Sequence, residues 1–164
     1  MDFDYNFNET CRGVLTLDDL HFFYYGVGLD TMTNVPVLFK WDEDIQSFVD
    51  SRQMMIECLE DDKKNVLPDK FEKGKLVFLQ KKRKTKEEAK EEAKEEAFFR
   101  HLRNAFAHYN IRRDGDYYVC KDIDMNTKKI TMIGYLKCED LKDLCFKFYD
   151  QRAEYEESLR LNEK

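Results

Sequence analysis

The sequence predicts a mainly α protein, a helical bundle with a small β-hairpin before its C-terminal helix. Three observations predict this fold class. Only two Pro and six Gly interrupt the 164 residues, which favours long helices over many short strands. Apolar side chains recur at helical spacing in several segments. Strand character is confined to a short stretch between positions 117 and 134, which is the predicted hairpin.

The chain has the length of one domain, and we expect a single domain over residues 1–164. Thirteen Phe and nine Tyr argue against disorder, because so much aromatic surface needs burial. Five cysteines are scattered without a Cys-x-x-Cys pair, and the acidic start at Asp2 and Asp4 does not resemble a signal peptide. No apolar run approaches the roughly 18 residues of a membrane span. We therefore expect a cytoplasmic protein with reduced thiols and no membrane contact.

The first helix is predicted to begin at Thr16, which with Asp19 has the spacing of a capping box. A second helix is predicted from Asp42, and its apolar positions keep a period of about 3.6 residues as far as Leu59. Residues 60–75 are charged and contain Pro and Gly, which predicts a loop.

Residues 86–97 consist of three copies of Lys-Glu-Glu-Ala, a composition that strongly favours helix. The predicted helix continues without a breaker to His108. The repeat is either a solvated helix or spacer, or the lead into a functional motif. Small residues share one side of this helix and would let a partner helix approach closely, although Ala is also simply a good helix former. They are Ala89, Ala93, Ala97 and Ala107.

The hairpin is predicted from Tyr117–Ile123 and Lys129–Gly134, which are joined by turn-forming residues at 124–127. A closing amphipathic helix follows. Its apolar positions share one face and are Leu141, Leu144, Cys145, Phe148, Tyr155 and Leu159.

The most informative string is Arg103-Asn104-Ala105-Phe106-Ala107-His108. On a helix with about 100° per residue, Arg103 and His108 lie about 140° apart and flank a polar strip with Arg100 and Asn104 at its centre. The opposite side is predicted to be the core face and holds Phe98, Leu102, Ala105, Phe106 and Tyr109. Arg103 and His108 are too far apart for a simple pair within one helix. They could converge on one phosphate if a second copy of the helix faced the first, so we expect a homodimer with its site at a two-fold interface.

Histidine carries protons near neutral pH, and arginine offers a fixed fork that matches phosphate oxygens. RNA supplies its own nucleophile, the 2′-hydroxyl. A base and a cation would therefore suffice to cleave it, with no metal and no cofactor. Three His and no close Cys pair argue against a zinc site.

The net charge of −6 argues against a general nucleic-acid binder, but positive charge is concentrated locally. One basic cluster is Lys81–Lys84. Candidate RNA-binding residues lie around the motif and are Arg100, Tyr109, Arg112 and Arg113. The two last arginines could equally be exposed charges beside the hairpin. His101 is either a second proton donor or a solvent-exposed side chain.

The string Leu-Arg-Asn-Ala-Phe-Ala-His-Tyr-Asn-Ile at 102–111 resembles the Arg-Asn-x-x-x-His signature of HEPN domains. The setting is similar too, because a hairpin and a closing helix follow as in plasmid- and defence-associated HEPN proteins. The specific likeness covers roughly residues 95–150.

The resemblance implies an up-and-down helical bundle, dimerisation and metal-independent RNA cleavage. By analogy Arg103 would stabilise the scissile phosphate, His108 would be general acid or base, and Asn104 would orient them. The product would end in a 2′,3′-cyclic phosphate. Many relatives are toxins or antiviral effectors, so an antitoxin or regulatory protein is a possible partner. Two alternatives stay open: a non-catalytic HEPN module that binds nucleotide or RNA, and a helical protein-interaction domain.

Overall fold

A computed structural model describes most of the chain, namely residues 14–27, 39–82 and 91–163. Cys11 and the first part of the Lys-Glu-Glu-Ala segment, residues 86–90, lie outside these described residues. Among the described helices, none is both long and apolar enough to cross a membrane.

Four α-helices, one π-helical turn and five strands make up the described elements. The helical elements are α1 Leu17–His21, the π-helical turn Phe22–Gly26, α2 Glu43–Ser51, α3 Lys94–Ala107 and α4 Cys138–Asn162. The strands are β1 Met55–Glu60, β2 Lys75–Gln80, β3 Ile111–Asp114, β4 Tyr117–Ile123 and β5 Ile130–Lys137.

The prediction of a mainly α bundle is wrong, because the strands form one five-stranded mixed sheet in the order β1-β2-β5-β4-β3. β1 pairs with β2 in parallel, and the other neighbours are antiparallel. The protein is therefore an α+β fold. The predicted hairpin is confirmed as β4 and β5, but it occupies one side of a larger sheet.

β1 was expected to continue the second helix, because Met55, Ile56 and Leu59 fit a helical period. A short apolar run fits either periodicity, and here pairing with β2 makes it a strand. β2 itself has four consecutive buried residues, Leu76 to Leu79, because both faces of the sheet are covered there. Non-local pairing therefore overrides the local pattern.

The main core lies between the sheet and the helices. Alternate side chains of each strand point into it, for example Tyr118 and Cys120 of β4 and Met132 and Leu136 of β5. From α3, Phe98, Leu102 and Ala105 enter the same core, as predicted, and Phe106 packs against it. Tyr109, which was placed on this face, is 79% exposed.

The opposite face of the sheet carries a smaller apolar cluster beneath the loop between β1 and β2. Leu67 and Phe71 of that loop cover Val77 of β2, Val119 of β4 and Tyr135 of β5. The predicted charged loop is thus confirmed, and two apolar anchors hold it against the sheet.

The predicted starts of the first two helices are confirmed. Thr16 and Asp19 form a reciprocal capping box at the start of α1, and the side chain of Asp42 accepts the Ile45 amide at the start of α2. α4 buries its predicted apolar face from Leu141 to Phe148. Beyond that point α4 is mainly exposed.

α3 begins later than predicted. Residues 91–93 are described and are not helical, and the helix starts at Lys94. The expected stripe of small residues is also wrong in its described part. Ala97 is completely buried in the core and Ala93 precedes the helix, so only Ala107 is exposed on α3.

Candidate functional site

A polar cleft of about 240 Å³ lies where α3 crosses the end of β4. Residues of one face of α3 line it, because positions 100, 104 and 108 succeed one another at one turn per step. The lining includes Arg100, His101 and Asn104 of α3, His108 at its C-cap, Asp122 of β4, and Lys81 after β2.

The candidate catalytic residues lie in the last turns of α3. Asn104 lines the cleft and is half-buried. His108 is the C-cap residue; its backbone amide donates to the Asn104 carbonyl at 3.0 Å, and its side chain is exposed at the cleft. Arg103 is half-buried and does not contribute to the lining of this cleft. Within one chain, Asn104 and His108 therefore line the same cleft, and Arg103 lies outside it. This agrees with the angle of about 140° predicted between Arg103 and His108 around the helix axis.

Arg103 is partly buried and lies near a second guanidinium, that of Arg100. Partial burial, and then the nearby charge of Arg100, lower the pKa of the Arg103 guanidinium. A guanidinium that has lost some of its water and has a positive neighbour gains from the approach of an anion.

Arg100 is already engaged with a carboxylate. Its Nε and one terminal nitrogen donate to the two oxygens of Glu92 at 2.5 and 2.9 Å. Burial acts to raise the pKa of Glu92, but the bonds from Arg100 and from the Lys81 amide outweigh it and lower that pKa. The Lys-Glu-Glu-Ala segment thus supplies a fixed counter-charge for Arg100, a predicted RNA-binding residue.

His101 is not the solvent-exposed side chain that one of the two interpretations predicts, since only 1% of its surface is accessible. Its Nδ1 lies 2.7 Å from the Asp122 carboxylate, and its Nε2 lies 2.7 Å from the backbone carbonyl of Leu79. Asp122 also accepts the side-chain amide of Asn104 at 3.2 Å. His101 is therefore part of a buried network in the wall of the cleft and not a second proton donor facing solvent.

Asp122 was missed by the sequence analysis, although a signal was present. It shares a face of β4 with Tyr118 and Cys120, so the predicted strand already carried an acid in a core-facing register. A buried carboxylate requires a partner. Its partner His101 is 21 positions away, and the sequence alone does not indicate their pairing.

The remaining RNA-binding candidates are spread over β3 and its approach. Tyr109 is exposed and has a φ of 60°, which turns the chain from α3 into β3. Arg112 is half-buried, and its guanidinium donates to the Ile111 carbonyl. Arg113 donates to the buried Asp19 at 2.9 and 3.0 Å and lines a different cleft.

The basic cluster is described only in part. Lys81 reaches the candidate cleft, whereas Lys82 pairs with Glu60 at 3.2 Å. Arg83 and Lys84 lie outside the described residues. Within the described ranges, no group of three His, Cys, Asp or Glu side chains is arranged to hold a metal ion.

Comparison with known proteins confirms the resemblance noted in the sequence. The family model described as HEPN pEK499 p136 matches residues 37–159. Neither a curated protein nor a solved structure matches the chain significantly. The matched region covers well over half of the chain and includes the whole of α3 with its Arg-Asn-x-x-x-His motif. The protein therefore belongs to the HEPN pEK499 p136 family.

Proposed function

We propose that the protein is an endoribonuclease that cleaves RNA without a metal ion, using Arg103, Asn104 and His108 in a homodimer. The observation that supports this most directly is the exposed His108 at the end of α3, beside Asn104 in a polar cleft. A histidine here can exchange protons with bound RNA. HEPN membership makes RNA the leading substrate class.

In this proposal His108 removes the proton of the ribose 2′-hydroxyl or protonates the leaving 5′-oxygen. The 2′-oxygen attacks the adjacent phosphorus, the bond to the 5′-oxygen breaks, and a 2′,3′-cyclic phosphate forms. Negative charge builds on the phosphate oxygens during attack, and Arg103 is the cation that stabilises it. Asn104 holds the reacting groups in the orientation that the attack requires.

The separation between Arg103 and the cleft supports a site shared by two chains. Arg103 lies outside the lining that Asn104 and His108 share, so Arg103 of a second copy would supply the cation. The position of Arg103 outside the cleft also favours a second candidate function. The protein would then be a non-catalytic HEPN module that binds RNA or nucleotide. In that case the motif would bind phosphate and break no bond.

Cleavage of single-stranded RNA in EDTA tests the proposal. We expect the wild type to cut and to leave cyclic phosphate ends, and we expect His108→Ala and Arg103→Ala to lose activity by about 10²–10⁴-fold. His21→Ala is the matched control, because His21 is an exposed histidine on α1 whose ring contacts that of Tyr25, outside the cleft.

The control should cut like the wild type. Binding of uncut RNA by the wild type, lost in the Arg103 variant, would favour the non-catalytic module instead. A wild type that neither cuts nor binds RNA would contradict both functions and leave a protein-interaction domain.

A further inference from the structure

The buried network in the wall of the cleft has no part in the proton transfers described above. It contains two titratable side chains, His101 at 1% and Asp122 at 4% exposure, and both sit next to the motif. We propose that His101 and Asp122 are positioning residues that fix the side-chain amide of Asn104, so that its carbonyl oxygen faces the cleft. This inference rests on the proposed function, because Asn104 belongs to the proposed catalytic motif.

The His101 ring is held at both of its nitrogens. It lies between two oxygen atoms, each 2.7 Å from a ring nitrogen: the Asp122 carboxylate at Nδ1 and the Leu79 carbonyl of β2 at Nε2. The Leu79 carbonyl can only accept, so this contact is a hydrogen bond when Nε2 carries the hydrogen; the Arg100 guanidinium also lies 3.3 Å from Nε2. Both ring nitrogens of His101 therefore have an oxygen partner. A fully hydrogen-bonded pair can be buried at a lower desolvation cost than an unpaired one.

The position of Asp122 itself is also fixed. β4 pairs with β5, with Asp122 opposite Met132, and the backbone carbonyl of Asp122 also accepts the Thr131 hydroxyl at 3.2 Å. The backbone is therefore held by the sheet and the carboxylate by His101 of α3. A group fixed from both sides is a rigid reference point for its neighbours.

The orientation of Asn104 depends on this carboxylate. An amide has a donating end and an accepting end, and an ionised carboxylate can only accept. The amide nitrogen of Asn104 donates to the Asp122 carboxylate at 3.2 Å, so the amide carbonyl must turn the other way. Asn104 and Asp122 both line the cleft with His108, and in this inference the carbonyl end of the amide is the one offered to a bound molecule. The motif thereby presents a fixed acceptor for an O–H or N–H group of the reacting complex.

A purely structural role for the network predicts a different outcome from a positioning role. A structural network stabilises α3 on the sheet, and changes in it would act independently of Asn104. A positioning network acts through Asn104, so its effect should disappear when Asn104 is already lost.

A double-mutant cycle on RNA cleavage separates these roles. We expect Asp122→Asn to lower kcat by about 10–100-fold with little change in KM. We expect the same change to have almost no further effect in an Asn104→Ala background. Asp140→Asn is the matched control, because Asp140 is also a buried aspartate but pairs with Arg52 between α2 and α4. The control should cut at the wild-type rate.

An unchanged rate in Asp122→Asn would overturn the inference. So would an equal loss of rate with and without Asn104. In either case the proposed nuclease function would stand, because the wild type and its motif variants report on that function separately.

A measurement on the folded wild type keeps the inference testable even if Asp122→Asn folds poorly. In nitrogen-15 NMR spectra we expect slow solvent exchange of the Asn104 side-chain amide and hydrogen-bonded N–H signals from the His101 ring. His101→Gln should speed the exchange of the Asn104 amide. It should leave the amide of Asn65, which donates to the Glu60 carbonyl at 2.9 Å, unchanged.

Fast exchange of the Asn104 amide in the wild type would overturn the inference. Because this experiment needs no RNA, it decides the positioning role even where the chain proves not to cleave RNA.

Discussion

Two aspartates near β4 are buried, and each is the centre of a different hydrogen-bond network. Asp19 is completely buried and accepts bonds from Arg113, Lys142 and the hydroxyl of Tyr118, besides the Thr16 amide. Asp122 is similarly buried but is bonded to His101 and Asn104. The first network joins α1 to β3, β4 and α4, whereas the second opens onto a cleft.

The difference shows how a buried acid can hold a fold or organise a site. The side-chain partners of Asp19 are two cations and a phenol, and all three contact its buried carboxylate. The partner Asn104 lines the cleft and has a second polar end, which we propose is offered to the cleft. We therefore expect changes at the Asp19 network to affect stability and changes near Asp122 to affect chemistry.

The largest expected effect concerns the arginine of the motif. We expect Arg103→Lys to lower the single-turnover rate of RNA cleavage by about 10²-fold, because lysine keeps the charge and loses the fork that matches two phosphate oxygens. Asp19→Asn, measured well below its unfolding midpoint, should cleave at the wild-type rate. Equal losses in the two variants would remove the distinction between the networks.

The second effect is on stability. Asp19→Asn leaves Arg113 and Lys142 facing a neutral amide, and we expect the free energy of unfolding to fall by about 3 kcal/mol. Urea unfolding followed by circular dichroism measures it. Glu154→Gln, an exposed acid on the distal part of α4, should change stability by less than about 0.5 kcal/mol. A loss at Asp19 as small as that of the control would show that the buried network is not stabilising.

The third prediction is the pH dependence of that stability. Burial acts to raise the pKa of Asp19, but the bonds from Arg113, Tyr118, Thr16 and Lys142 together lower it well below its usual value. A carboxylate with a lowered folded pKa stabilises the fold above its unfolded pKa of about 3.9, and the stabilisation is lost as the pH falls below that value.

The wild type should therefore lose more stability than Asp19→Asn between about pH 5 and about pH 3. Unfolding curves at several pH values in this interval give the comparison. Parallel pH profiles for the two proteins would contradict the assignment of this acid sensitivity to Asp19.

The smallest effect concerns Arg100. Glu92→Gln removes the carboxylate that holds its guanidinium, and we expect binding of a non-cleavable 2′-deoxy-substituted RNA to tighten by up to about fivefold. The fall of RNA affinity with salt concentration should become steeper, by the release of about one more counterion. Fluorescence anisotropy measures both, with Glu154→Gln as the charge-matched control. If both variants bind the RNA more tightly by the same factor, the change in net charge explains the effect, and the release of Arg100 does not.

The sequence indicated some of these features because they are local. The capping box of Thr16 and Asp19, the helix start at Asp42, the hairpin and the motif on α3 all depend on residues close together in the chain. β1 and β2 were missed because their apolar runs become strands only through pairing with each other and with β5. The network of His101 with Asp122 was missed for the same reason, since a helix and a strand must first be packed together.

We propose that two chains share an RNA-cleaving site made from Arg103 of one and His108 of the other. Arg103→Ala and His108→Ala should each be inactive, and their mixture after subunit exchange should recover about a quarter of the wild-type cleavage, because half the dimers are mixed and each has one intact site. A mixture as inactive as its components, beside an active wild type, would contradict the shared site. A wild type without cleavage in the same assay would contradict the nuclease function itself.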